Sequence, residues 1–279
     1  MVLSFHPCFR GDVNRLCAGR RPNAEDLAAI RAADAVILPQ GCSRALHELA
    51  RGACPLVFPD YTARFRYPGK IGQIRLFREI NVPHPQTACF DKVSDFFFRN
   101  KTHSSPPPFS YPAVFKFDWG GGGDNVFLLA SGADLENALE KAARYETSGQ
   151  RGFLIQEYIP SGNRSLRAAV IGSRLKTYWR TGGESPSFLT NIAKGGAVDE
   201  KADPDLQARG TAAVRSFCRK TGINLAGFDL LFPANRSTDP PLFLEINYYF
   251  GRRGLGGSER YYELLVDEIE NWLRSVGLK

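Results

Sequence analysis

No stretch of the 279-residue sequence approaches the ~20 consecutive apolar residues that a membrane helix needs. A spanning helix is therefore not expected, and the chain reads as a soluble protein. Met1 to Cys8 is strand-like and lacks the basic start, long apolar centre and small-residue cleavage site of a secretion signal, so export is not expected either. The six cysteines (Cys8, Cys17, Cys42, Cys54, Cys89, Cys218) contain no CxxC pair, which argues against a zinc knuckle or redox couple. Buried free thiols in a reducing cytoplasm are expected instead. A long basic tail and a recognition-helix pattern are missing too: the formal net charge of +7 is dispersed, with short pairs such as Arg20, Arg21 and Arg252, Arg253. Such a charge suits phosphates and small anions, with nucleic acid as a lower-ranked alternative.

What is present is globular composition, 43% apolar and 23% charged, in a chain long enough for a large core. The first 69 residues alternate strand and helix patterns: Val2 to Phe5, a helix capped by Asn23 up to Ala33, Ala35 to Leu38, a helix over Ser43 to Arg51, then Leu56 to Phe58. That order predicts a small parallel sheet with crossover helices. Lys70 to Ile80 has helical apolar spacing and is stopped by Asn81-Val82-Pro83; a strand near Gln86 to Phe90 and a short helix follow. Asn100 to Ser110, with three consecutive prolines, reads as a loop. Further strands are expected at Tyr111 to Phe117, Asn125 to Leu129, Gly152 to Gln156, Ser165 to Ile171, Leu175 to Trp179, Gly227 to Phe232 and Leu242 to Asn247. Helices are expected over Ala133 to Tyr145, Pro204 to Thr221 and Ser258 to Val276.

Two constellations carry most of the chemistry, and Leu154 to Pro160, an apolar strand running into a turn whose backbone could pair with the edge of an adenine, is a weaker third. Gly120 to Gly123 lie between two strand patterns directly after Lys116-Phe117-Asp118-Trp119. A hairpin tip without side chains can bring backbone amides against a phosphate, and Lys116 adds a mobile point charge. The sequence has neither the GK[ST] ending of a P-loop nor a strand-to-helix dinucleotide fingerprint here, and a plain flexible turn is the competing reading. The second constellation pairs Phe228-Asp229-Leu230 with Phe243-Leu244-Glu245-Ile246-Asn247. Residues two apart on a strand share a face, so Glu245 and Asn247 point the same way out of an apolar strand. Three such oxygen donors suit Mg²⁺; a solvated strand face is the alternative, disfavoured by the cost of burying unpaired carboxylates.

In order along the chain, Lys70, Lys116 with its glycine-rich hairpin, Gln156-Glu157-Tyr158-Ile159, Asn191, Asp229, Glu245 and Asn247 resemble the ATP-grasp superfamily over about residues 70 to 251, specifically its RimK and glutathione-synthetase-like ligases. The resemblance implies an α/β chain of α+β ATP-grasp type. A parallel-sheet domain at 1–69 would precede a central subdomain at 70–157 and a C-terminal one at 158–279, the latter two clamping ATP. It further implies that Lys70, Lys116, Gly121, Gly122 and Gly123 meet the phosphates, and that Gln156, Glu157, Tyr158 and Ile159 line the adenine. Arg167 and Arg180 would lie near phosphate or acyl substrate, and Asn191 beside the γ-phosphate. Asp229, Glu245 and Asn247 would hold two Mg²⁺ ions, with Mn²⁺ as the alternative metal. Arg180, or Arg252 and Arg253, would anchor the substrate carboxylate and later stabilise the oxyanion, which makes Arg180, Asn191 and Arg252 the expected catalytic residues.

Two departures stand out. The acidic ribose-binding residue of many relatives has no counterpart in Ser161 to Ser165, and Tyr248 to Gly257 replaces their Pro-Gly turn where the acyl or amine pocket is expected. The implied reaction joins a carboxylate to an amine through an acyl phosphate, releasing ADP and phosphate. No Ser-His-Asp nucleophile is needed, and His6, His47, His84 and His103 are read as structural or solvated. An ATP-bound sensor or scaffold without turnover is the second hypothesis, and a nucleic-acid-binding module the third.

Overall fold

The computed structural model describes residues 1–102, 110–120, 125–182, 196–234 and 239–278. The expected parallel sheet is present at the start. Strands β1 (Val2–Ser4), β2 (Val13–Asn14), β3 (Ala35–Ile37) and β4 (Leu56–Phe58) run parallel in the order β2-β1-β3-β4, linked by α1 (Ala24–Ala32) and α2 (Arg44–Ala53). Asn23 caps α1 through a reciprocal box with Asp26, which satisfies two first-turn donors. Two elements escape the sequence reading: β2, only two residues long, and the short helix α3 (Thr62–Arg66).

Helix α4 (Gly69–Ile80) ends where Asn81 turns left-handed at φ 56°. It leads into a second sheet of β5 (Thr87–Phe90), β6 (Ala113–Phe117), β7 (Val126–Leu129) and β8 (Phe153–Glu157), all antiparallel in the order β5-β8-β6-β7. Helices α5 (Val93–Thr102) and α6 (Gly132–Thr147) accompany it. Because α5 continues to Thr102, the loop expected from Asn100 begins later, and residues 103–109 lie outside the described set.

The third sheet has five antiparallel strands in the order β11-β10-β9-β12-β13: β9 (Arg164–Ile171), β10 (Arg174–Thr181), β11 (Val198–Asp199), β12 (Leu225–Leu231) and β13 (Leu242–Asn247). The two-residue β11 was not anticipated. Helix α7 (Pro204–Thr221) starts on a proline and stops at Gly222, φ 74°, and α8 (Gly257–Ser275) closes the chain.

One hydrophobic cluster runs without a break from the parallel sheet (Leu3, Ile37, Phe58) through Phe77 of α4 to Phe228 and Ile246 of the third sheet. A second fills the space under the β5-β8-β6-β7 sheet, where Phe115 and Phe153 stack at 4.9 Å. Packing of this kind makes the third sheet a rigid platform with the parallel sheet, and α4 touches both β8 and β13.

Candidate active site

Register builds the site. Across the third sheet, Tyr178 on β10, Arg167 on β9, Asp229 on β12 and Glu245 on β13 are consecutive cross-strand partners, so the four side chains leave the same face in one row. Asn247 lies two residues further along β13, opposite Gly227. Arg180 lies two residues along β10, opposite Ser165. The pairs that the chain separates by up to 78 positions, Arg167 to Glu245, thus become neighbours on one surface.

Asp229 is buried and holds the centre. Its Oδ1 accepts from Arg167 Nε at 2.6 Å and pairs with Arg180 Nη2 at 2.7 Å. Its Oδ2 accepts from Arg167 Nη2 at 3.2 Å and Asn247 Nδ2 at 3.0 Å. Burial opposes its ionisation, but the two guanidiniums more than offset this and hold its pKa below the ordinary value. Arg180 also reaches Ser165 Oγ at 3.1 Å, while its Nε is buried with no hydrogen-bond partner among the described residues. Gly227 makes room for the cluster: a Cβ there would meet Arg167 Nη1 at 2.6 Å and Phe250 Cβ at 2.9 Å.

Lys116 and Lys70 approach from the second sheet and α4. Lys116 is buried on β6, and its Nζ donates to Gln156 Oε1 at 2.7 Å; Gln156 Nε2 donates in turn to Thr87 Oγ1 at 2.8 Å. Burial drives the Lys116 pKa down to about 8; Glu245 and Asp229 oppose the shift and Lys70 reinforces it. Lys116 is thus within electrostatic reach of both carboxylates of the third sheet and of Lys70. Lys70, in the first turn of α4, donates to Gly120 O at 3.0 Å. The carboxylate of Asp118 accepts from Ile71 N at 2.7 Å, tying the base of the glycine-rich segment to the α4 N-terminus. Glycine is required at position 69, where φ is +70° and a Cβ would lie 2.4 Å from that carboxylate.

The expected residues therefore divide into groups. Lys70, Lys116, Arg167, Arg180, Asp229, Glu245 and Asn247 converge. Gln156 is engaged internally with Lys116 and Thr87, so its side chain is not presented to a base. Glu157 pairs through its backbone with Gln86 O at 2.9 Å, and Tyr158 and Ile159 are half-buried in the segment that follows. Gly121, Gly122, Gly123 and Asn191 lie outside the described residues. Arg252 stands apart from Asp229, on the wall of a cavity of about 410 Å³ lined also by Gln40, Tyr249, Phe250, Arg253 and Ser258. Its guanidinium lies 4.5 Å from the ring centres of both Tyr261 and Tyr262. Nearby His6 is held neutral, its pKa lowered to about 4 by burial and by Arg252.

Several residues here were not singled out from sequence. Gln40 donates from Nε2 to Tyr248 O at 2.8 Å and accepts from Tyr261 Oη at 3.2 Å, bringing the parallel sheet to the cavity. Asp118 stood beside the glycines in plain view; Gln40, Thr87 and Gly227 carry no local signal.

Residues 76–268 match the RimK-like ATP-grasp domain family. The chain belongs to the RimK-like ATP-grasp family. A probable alpha-L-glutamate ligase of Syntrophotalea carbinolica is 30% identical over 146 residues, 52% of this chain and 44% of that protein, so the match spans under half of the relative. Among solved structures, a RimK domain ATP-grasp protein of Sphaerobacter thermophilus superposes with a TM-score of 0.59 at 17% identity, covering 96% of this chain and 98% of the other. D-cycloserine synthetase superposes with a TM-score of 0.61 at 14% identity, covering 98% and 99%. At such identities the structural likeness establishes the ATP-grasp fold, as expected from the order of motifs.

Proposed function

We propose that this RimK-like ATP-grasp chain is an ATP-dependent carboxylate-amine ligase. The observation that carries the reading is the convergence of buried Lys116 and Lys70 with the Arg167-Asp229-Glu245 row, a cationic wall facing two carboxylates and an amide. Family membership and the ligase names of the similar proteins support it.

The donor set fits a hard cation. Glu245, Asp229 and the Asn247 amide supply oxygens of the kind Mg²⁺ or Mn²⁺ takes, and Asn247 donates its Nδ2 to Asp229, leaving its Oδ1 as an acceptor. Among the described residues no three acidic, His or Cys side chains cluster, so a cation held here would need the Asn247 amide as its third donor. These residues would hold two ions, which supply charge neutralisation along a polyphosphate. Asp229 already accepts four hydrogen bonds or ion pairs, so taking up a cation requires Arg180 or Asn247 to shift.

ATP would lie between residues 70–157 and 158–279, with Lys70 and Lys116 on its phosphates and Glu157 to Ile159 along the adenine. The γ-phosphoryl passes to a substrate carboxylate, giving an acyl phosphate and ADP. An amine then attacks the acyl carbon and expels phosphate, leaving an amide. Arg167 and Arg180 neutralise charge around the transferring group, and positioning supplies most of the rate. The Arg252 cavity, adjoining the cluster through Phe250, receives an anionic substrate such as an amino acid or peptide carboxylate.

The test is ADP release screened over carboxylate and amine pairs, with the new amide identified by mass spectrometry. Release that needs both partners, and vanishes in Glu245→Ala, is expected. Mg²⁺-dependent ATP binding with no pair eliciting ADP would favour a sensor or scaffold instead.

A further inference from the structure

Strand β13 carries Glu245 and Asn247 yet forms the edge of its sheet. An edge strand has one row of backbone groups without a strand partner, and it is free to twist or slip. Here β13 also adjoins an irregularity, since the register with β12 shifts between Asp229 and Leu230. Metal ligands on such a strand need an outside brace.

Gln73, one turn into α4 from Lys70, supplies that brace. Its Nε2 donates to Ile246 O at 2.9 Å and its Oε1 accepts from Ile246 N at 2.7 Å. The side-chain amide thus pairs with both backbone groups of one residue, as a neighbouring strand would. Ile246 is the residue between Glu245 and Asn247, and its own side chain is 2% exposed in the core. Fixing its two peptide groups fixes the directions of the side chains on either side. The same helix presents Lys70 to Gly120 O and is held at its first turn by Asp118.

We propose that Gln73 is a positioning residue: through the Ile246 backbone it aims Glu245 and Asn247, and through α4 it sets their place relative to Lys70. This deepens the proposed function and rests on the reading of Glu245 and Asn247 as cation ligands. Partners that orient ligands without touching the metal commonly tune its affinity by 10–100-fold.

The experiment compares wild type, Gln73→Met, which keeps length and packing but loses the amide, and Gln73→Ala. ATP binding is followed over a Mg²⁺ titration by isothermal titration calorimetry, and exchange of the Ile246 amide is followed by NMR without ligand. The expected result is a rise of about tenfold or more in the Mg²⁺ concentration for half-maximal binding in both variants. Faster Ile246 exchange and unchanged Mg²⁺-free ATP affinity should accompany it. An unchanged Mg²⁺ requirement in both variants overturns the proposal while leaving the ATP reading intact, and so does an equal loss of Mg²⁺-free affinity. Wild-type binding indifferent to Mg²⁺ overturns the metal reading and the role of Gln73 together.

Discussion

Arg167 and Asp229 stand directly opposite each other on β9 and β12, and the guanidinium grips the carboxylate through Nε at 2.6 Å and Nη2 at 3.2 Å. Both side chains are under 10% exposed, at 6% and 7%. The pair is thus a buried salt bridge at the centre of the site, and the physics of buried charge governs its loss. Removing Arg167 leaves Asp229 with Arg180 and Asn247, whereas removing Asp229 strands the buried Arg167 guanidinium in a poorly solvating environment. Asp229→Leu, which leaves Arg167 buried without its carboxylate, is expected to destabilise the ligand-free protein by about 3–5 kcal/mol, read from chemical denaturation. A cost under about 1 kcal/mol, the range of exposed pairs, would contradict the buried assignment.

Lys116 makes a pH prediction. Its folded pKa is depressed to about 8 from the ordinary 10.5. Between those values the unfolded chain binds a proton that the folded one does not, so stability rises with pH across the window. Below pH 8 the burial penalty is fully present. Thermal melts of the ligand-free protein should show this contribution as a stability gain from pH 8 towards 10 that Lys116→Met lacks. Lys116→Met should also melt higher than wild type at pH 7 while losing ATP affinity. Wild-type ATP affinity should fall as Lys116 deprotonates above pH 8.

Gly254 sits on Tyr178, the first residue of the Tyr178-Arg167-Asp229-Glu245 row: a Cβ there would come within 2.2 Å of the ring. Tyr178 is 1% exposed and has nowhere to move. Gly254→Ala should therefore cost about 1–3 kcal/mol by overpacking. Its melting temperature should fall well below that of Gly251→Ala, where a Cβ meets nothing within 4 Å.

The proposed seat of the substrate beside Arg252 predicts a split between substrate binding and ATP binding. Among the described residues Arg252 pairs with no carboxylate, and its stacking on buried Tyr261 and half-buried Tyr262 is worth about 0.5–2 kcal/mol each. Arg252→Ala is expected to raise the KM for the carboxylate or amine substrate about tenfold, the loss of one charge-assisted contact, with the KM for ATP unchanged. Steady-state kinetics with each substrate varied in turn checks this.

Most of the fold was legible in order and type. Helix α7 and strand β13 have the boundaries their patterns imply, because Pro204, Gly222 and the apolar alternation around Glu245 mark them locally. Elements of two to five residues, β2, α3 and β11, left no usable periodicity, since they form only where a neighbouring element completes their hydrogen bonds. The site divides in the same way. Lys70, Lys116, Asp229, Glu245 and Asn247 stand out as polar residues in apolar company. Gln40, Gln73 and Gly227 look ordinary, and only their partners give them meaning.

Gln156 shows the limit most clearly. The resemblance implies that it lines an adenine, whereas in the structure its side-chain amide is engaged by Lys116 and Thr87. The sequence alone determined that a glycine-rich segment, a lysine pair and a carboxylate-amide set occur in ATP-grasp order, because side-chain type and strand periodicity are local properties. Tertiary structure alone decided that Asp229 is gripped by two arginines, that Gln73 braces β13 and that the parallel sheet reaches the Arg252 cavity. Those facts depend on strand register and helix docking, which arise from burial summed over the whole chain.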